Sequence, residues 1–200
     1  MADRDLGTIF DLRDQGLAML ITAAGWAGYL TLVAIADANW STSIALALTR
    51  FGGILCFFGV LIAYLGTMPT YLRTPKLMTF GIACVSGMIQ LYGVSELIQR
   101  VPNFDGFETA FLIAQFVFAI ALLPCAYCLY HHPLFPRWLA YGIALDGAFW
   151  LCYSCANLSR RWYTFFEILA WGPSLTIEVL FGIYFARVGL KLRRMSEPAA

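Results

Sequence analysis

The sequence predicts an all-α polytopic membrane protein, a bundle of six transmembrane helices with both termini cytoplasmic, and three observations predict it. The chain of 200 residues is 60% hydrophobic and 12% charged, whereas soluble domains hold roughly 45–50% apolar and about 25% charged residues. Mean hydropathy is +0.72, and Phe, Tyr and Trp make up 16% of the chain. Six uncharged runs reach the roughly 20 residues that a helix rising 1.5 Å per residue needs to cross hydrocarbon. The formal net charge of +1 leaves no basic face to track phosphates, so nucleic acid is not an expected partner.

Residues 1–15 carry four Asp and no basic leading segment, which does not read as a cleavable signal. Leu6, Ile9 and Phe10 recur at helical spacing beside charges, as in a short interfacial helix; a frayed polar terminus is the alternative. The first span runs from Gly16 to Ala36, between Asp14 and Asp37. The second follows the helix-start signal Trp40-Ser41-Thr42-Ser43 and covers 43–66, ahead of Pro69. The third covers 77–97, and the fourth 109–130, closed by His131-His132-Pro133. The fifth covers 138–158 and the sixth 163–186. A transmembrane domain over 16–190 is thus followed by a cytoplasmic tail, 191–200, in which Met195 to Ala200 read as disordered. Short connections imply antiparallel neighbours.

Orientation follows from Lys and Arg. Arg4, Arg13, Arg73, Lys76, Arg137, Arg187, Lys191, Arg193 and Arg194 fall on the side of the termini, against Arg100, Arg160 and Arg161 on the other, with Arg50 inside the second span. The excess marks the cytoplasmic side. Trp40, Tyr71, Trp138 and Trp162 at span ends read as interface anchors. Gly52-Gly53 with Gly59, Gly81 with Gly87, and Gly142 with Gly147 permit close helix approach.

The third and fifth spans share a pattern at constant offset. Pro75-Lys76 matches Pro136-Arg137, Phe80-Gly81-Ile82-Ala83 matches Tyr141-Gly142-Ile143-Ala144, and Tyr92, Leu97 and Arg100 match Tyr153, Leu158 and Arg161. A duplicated hairpin and chance agreement of abundant apolar letters both fit. At this offset Asp146 pairs with apolar Val85.

Charged side chains at membrane depth cost several kcal/mol and need a partner, a wet cavity or a route to the surface. Arg50, Asp146, Glu167 and Glu178 are the candidates, with Gln90, Glu96, Gln115 and Asn157 beside them. In the fifth span Asp146, Trp150, Tyr153 and Asn157 share one face, and in the sixth Glu167, Trp171, Ser174 and Glu178 repeat the same i, i+4, i+7, i+11 spacing. Asp146 lies about 12 Å and Glu178 about 13 Å from the cytoplasmic ends of their helices, which places them at one level. Arg50 lies about 10 Å and Glu167 about 6 Å from the outer ends, within reach of an ion pair. Two carboxylates sharing a dry site cannot both ionise cheaply, so one would hold a proton near neutral pH. These groups fit a proton-exchanging pocket between the last three helices; interhelical hydrogen bonding or contact with a partner subunit is the alternative. Gly172-Pro173 would open the helical ladder beside the stripe.

Cys125-x-x-Cys128 and Cys152-x-x-Cys155 resemble a four-thiolate metal framework, but the antiparallel topology puts the pairs in opposite leaflets. Cys125, Cys128, His131 and His132 form a smaller candidate set at one membrane edge, with thiols packed between helices as the plainer reading. The two histidines are adjacent, so two spans cannot clamp a haem through them, and no Lys lies within a span to form a retinal Schiff base. No P-loop, dinucleotide-binding or nucleophile-elbow motif is present. No resident cofactor is expected; a bound lipid, quinone or pigment would be compatible with the aromatic walls.

Pro136-Arg137-Trp138-Leu139 opening a span with Gly142, then a last helix with Pro173 and Glu178 before a basic tail, resembles a family of uncharacterised bacterial six-helix membrane proteins known as a domain of unknown function. The resemblance covers the final third of the chain. It implies a six-helix fold and an inner-membrane location, not an activity. Three functions stay open from the residues. The first is a non-enzymatic protein that binds or moves a small amphiphilic molecule or protons, with Asp146 and Glu178 exchanging protons, Trp150, Tyr153 and Trp171 as the wall and Arg50 as counter-charge. The second is an accessory or assembly subunit, surrounded by lipids and partner subunits or by further copies of itself. The third is an intramembrane enzyme that uses the two carboxyls as acid and base on a lipid or isoprenoid.

Overall fold

The computed structural model describes residues 12–38, 43–159 and 163–196. The expected interfacial helix around Leu6, Ile9 and Phe10, the anchors Trp40 and Trp162, and Arg160 and Arg161 lie outside the described residues. The elements are α1 (Leu12–Ala38), α2 (Ser43–Thr67), a 3-10 turn (Thr70–Leu72), α3 (Arg73–Leu97), α4 (Phe104–His131), α5 (Arg137–Ser159), α6 (Tyr163–Leu169), a π-helical turn (Ala170–Ser174) and α7 (Leu175–Ser196). Among the described residues there is no strand. Among the described residues six helical spans are long and apolar enough to cross a membrane, with α6, the π turn and α7 forming the sixth.

The helices outrun the apolar stretches because a helix does not end where hydrocarbon does. α1 takes in Arg13 and Asp14, α3 takes in Arg73 and Lys76, and α7 continues through Met195 and Ser196, which the sequence reads as disordered. α4 starts at Phe104 because Asn103 caps it: Asn103 Oδ1 accepts from the Gly106 N–H at 3.0 Å, satisfying an orphan donor of the first turn. The same side chain donates from Nδ2 to Glu96 Oε2 at 2.7 Å and so ties α3 to α4. At the opposite end Lys76 Nζ donates to Leu65 O at 3.2 Å and Met68 O at 3.3 Å, covering carbonyls at the C-terminus of α2, where a cation is favourable. Lys76→Met should cost about 2 kcal/mol, the size of a hydrogen bond to a charged group. Thermal unfolding in detergent reads this as a lowered midpoint that Lys76→Arg restores in part.

Packing arranges the spans as a closed ring. Each helix packs on its chain neighbours from α1 through α5, α5 packs on α6, the π turn and α7, and α7 returns to α1. Closure rests on two glycines. A Cβ on Gly16 would stand 2.9 Å from Gly189 O, and one on Gly189 only 2.8 Å from Gly16 O, so the two backbones touch. The outside of the ring is apolar: Ile44, Leu48, Leu55 and Ile62 form an exposed stripe along α2. The inside holds Gln15, Lys76, Gln90, Gln115, Asp146 and Glu178, each at most 9% exposed. This inversion is what a bilayer imposes, since lipid solvates apolar faces but not polar ones.

The repeat in the third and fifth spans changes register in three dimensions. Tyr92 is 61% exposed while its sequence match Tyr153 is 8% exposed, so those letters face different ways. The pattern of buried and exposed positions over 81–96 recurs over 141–156, one residue short of the sequence offset. In that register Asp146 corresponds to Ser86, also fully buried, and Gly147 to Gly87. Both glycines face the preceding helix: a Cβ would meet Ala119 O at 3.0 Å from Gly147, and the Phe58 ring at 2.6 Å from Gly87. Helix phase decides which residues meet lipid, whereas matched apolar letters do not.

Candidate functional site

Pro173 has no N–H, so the Leu169 carbonyl four residues earlier loses its helical donor. Ser174 Oγ donates to Leu169 O at 3.4 Å instead, and the chain widens into the π turn Ala170–Ser174. Such turns re-aim side chains within a helix. Here Ser174 is fully buried and Trp171 half-buried, while Glu167, before the turn, is half-buried and lines neither chamber described below. The π turn falls between Glu167 and Glu178, so the i+11 spacing of the expected stripe of Glu167, Trp171, Ser174 and Glu178, which assumes an unbroken helix, is interrupted there. On α5 the stripe holds: Asp146, Trp150 and Tyr153 are 0%, 8% and 8% exposed, and half-buried Asn157 donates to Tyr153 O at 3.1 Å.

Two chambers lie on the ring axis. The small one, about 40 Å³, is lined by Trp26 of α1, Tyr64 of α2, Thr79 of α3, Cys125 of α4, Asp146 of α5 and Glu178 of α7. The large one, about 280 Å³, is lined by Tyr29, Gln90, Gln115, Trp150, Trp171 and Glu178 among others. Glu178 and Phe118 line both. The small chamber is thus bounded by all six spans and the large one by every span but the second, rather than by the last three alone, because α1 closes on α7.

Asp146 and Glu178 meet at the small chamber, as their equal depths imply. Trp150 Nε1 donates to Glu178 Oε1 at 3.3 Å, and Trp26 Nε1 holds the Glu178 backbone oxygen at 3.0 Å. Asp146 is different. Ser174 and Trp150 stand within hydrogen-bonding reach of it, but their donors point to Leu169 O and Glu178, and neither Asp146 oxygen has a partner in hydrogen-bond geometry among the described residues. Among the described residues no Lys or Arg lines either chamber. Below the pair, the Tyr64 hydroxyl stands beside the thiols of Cys125 and Cys128.

Arg50 stands apart. Its guanidinium lies over the Phe111 ring, 4.5 Å from the centroid, in a separate site with Gln90, Gly93 and Phe107. Its helix and that of Glu167 are not neighbours in the ring: α2 packs on α1 and α3, while α6 packs on α5. Depth was readable from residue counting, but position around the ring was not. Trp26 and Phe118, absent from the sequence-derived set, belong to the site; an indole N–H at mid-span, which needs an acceptor, was the available signal for Trp26.

Between α1 and α7 an open groove of about 660 Å³ is lined by Ala23, Ala27, Thr31, Gly182, Ile183 and Ala186. Trp26 also faces the small chamber from this groove, and Leu30 the large one. A single layer of side chains separates bilayer from axis.

Among the described residues no three His, Cys, Asp or Glu side chains are placed to hold a metal. His132 Nδ1 accepts from the Leu134 N–H at 3.1 Å and its Nε2 donates to Thr67 O at 3.3 Å, so both ring nitrogens are engaged. His131 is exposed and packs on Tyr127, centroids 4.5 Å apart. Cys152 and Cys155 are exposed on the opposite leaflet's side of α5.

Burial pushes the His132 imidazole down to about 4, against the opposing pull of the Thr67 carbonyl. Unfolded chain, with the ordinary value of about 6.5, then binds more protons between these limits, so stability is full above 6.5 and falls as pH drops toward 4. The loss should reach about 3 kcal/mol. His132→Gln, which keeps a donor and an acceptor, should flatten the fall in thermal midpoint between pH 7 and pH 4.5; an unchanged slope would assign the loss elsewhere. Comparison with protein-family models, curated proteins and solved structures returns no match to this chain.

Proposed function

We propose that the protein binds and moves a small amphiphilic molecule on the axis of its helical ring, with occupancy linked to protons on Asp146 and Glu178. One observation carries this reading: Glu178 faces both chambers beside an Asp146 whose buried oxygens accept no hydrogen bond among the described residues. Two carboxyls at one depth in a medium of low polarity repel each other when charged, and no basic side chain among the described residues lines the chambers to balance them. Protons or a ligand must do so. The α1–α7 groove supplies an entry from the bilayer, suited to an amphiphile.

In this reading the protein resides in the bacterial inner membrane, with the Lys- and Arg-rich terminal end in the cytoplasm. Native mass spectrometry from mild detergent tests it. The parent should retain a small molecule that leaves on acidification, and Asp146→Asn and Glu178→Gln should retain none. A parent that carries nothing at any pH, or variants that carry as much as the parent, would refute the reading.

A further inference from the structure

We infer that the large chamber binds a lipid-soluble organic cation, an alkyl- or arylammonium, in exchange for a proton held by Asp146 and Glu178. This rests on the preceding reading of the chambers as a ligand site and names the chemical class. The walls decide the sign of the charge. Among the described residues Glu178 is the sole acidic or basic side chain lining the 280 Å³ chamber, and the buried Gln115 Oε1 has no hydrogen-bond partner among them, leaving a second acceptor there. Around these stand Tyr29, Phe111, Phe118, Trp150 and Trp171, with the Trp150 and Trp171 rings edge-to-face at 5.5 Å. Aromatic faces are negative and attract cations, most strongly where water is excluded. A carboxylate with aromatic walls is complementary to an ammonium and repels an anion.

The walls also decide the size of the ion. Small inorganic cations take six or more oxygen ligands at close range, and this chamber offers a carboxylate and two amides in an apolar lining. An organic cation, already shielded by carbon, needs no such cage. Its apolar part suits the α1–α7 groove, from which Leu30 alone lines both spaces.

The balance of charge is one for one. A proton leaves the carboxyl pair for water, and the carboxylate left behind pairs with the ammonium. The groups that bear on this exchange come from each neighbour of Glu178: Asp146 from α5, Tyr64 from α2 and Cys125 from α4 across the small chamber, and Tyr29 from α1 across the large one. α3 contributes the uncharged Thr79 and Gln90. Arg50 shares Gln90 and Phe111 with the large chamber but lines its own site.

The test is titration of the full chain in detergent with benzyltrimethylammonium, with its neutral carbon isostere neopentylbenzene and with benzoate, following tryptophan fluorescence and proton release. The ammonium should bind at least about tenfold more tightly than the isostere, release about one proton and bind more tightly as pH rises. Glu178→Gln should lose this preference, and Trp171→Leu, at a half-buried site that leaves the carboxyls intact, should weaken ammonium binding about tenfold. Equal binding of the isostere and the ammonium would overturn the cation inference and leave the ligand site standing. Binding of none of the three, with no retained molecule in the native mass spectrum, would overturn both.

Discussion

Asp146→Asn and Glu178→Gln should each reduce proton-linked binding about a hundredfold or more, the size expected when one member of a buried charged constellation is removed, and leave the residual activity independent of pH. The two variants probe different things. Glutamine at 178 keeps an oxygen to accept from Trp150 Nε1, whose bond to Glu178 is 3.3 Å, so the local fold survives while the exchangeable proton is lost. Asparagine at 146 brings an amide whose donors meet a surrounding in which the aspartate oxygens already have no partner, at about 1–3 kcal/mol if they too stay unpaired. Asp146→Ala separates function from scaffolding. A carboxyl retained for packing would take stability with it when removed. A fully buried, unpartnered one should give a variant that unfolds at an equal or higher temperature yet exchanges no protons, as residues kept for activity at a cost in stability do. A lowered midpoint with proton exchange intact would return Asp146 to a structural role.

The residues that carry this argument differ in how readable they were. Six spans followed from hydrophobic runs because the bilayer imposes a fixed length, and the shared level of Asp146 and Glu178 followed from a fixed rise per residue. The partner of Arg50 did not follow. Rise per residue gives depth, but the angle around the ring depends on which helices touch, and the contact of α1 with α7 joins residues about 170 positions apart. For the same reason the sequence places the pocket between the last three helices, although Trp26, Phe57 and Tyr64 also line its small chamber. The break at Pro173 is readable, since a missing N–H is a local property; that it takes the form of a π turn over Ala170–Ser174 is not. The lesson of the third and fifth spans is similar. Tyr92 and Tyr153 match as letters, but Ser86 and Asp146 match as environments, because membrane burial is written in helical phase.

Ring closure itself makes the second large prediction. Gly189→Val should open the seam between α1 and α7, since the first added carbon would already lie 2.8 Å from Gly16 O, 3.0 Å from Leu20 Cγ and 3.1 Å from Met19 Cβ. Backbone and branch-point atoms cannot swing aside as the end of a long side chain can. Overpacking of this kind costs about 1–3 kcal/mol where a core can adjust, and with a backbone oxygen in the way the upper end is expected. Gly16→Ala meets Gly189 O at 2.9 Å and Arg193 Cγ at 2.9 Å, so it strains the same contact from the other side. Once either substitution has parted the helices, the second has less left to disturb, and the double variant should be destabilised by less than the sum of the two, as for any pair sharing one contact. Gly59 supplies the contrast, because a Cβ there meets nothing within 4 Å, and Gly59→Ala should leave the midpoint unchanged or slightly raised. The decisive readout joins stability to the site: Trp26 sits on the α1–α7 seam, holds the Glu178 backbone through a 3.0 Å bond and lines the small chamber. Gly189→Val should therefore shift tryptophan emission and weaken ligand retention at temperatures where the protein is still folded. If the midpoint falls while retention and emission stay as in the parent, the chambers do not depend on the contact of Gly16 with Gly189.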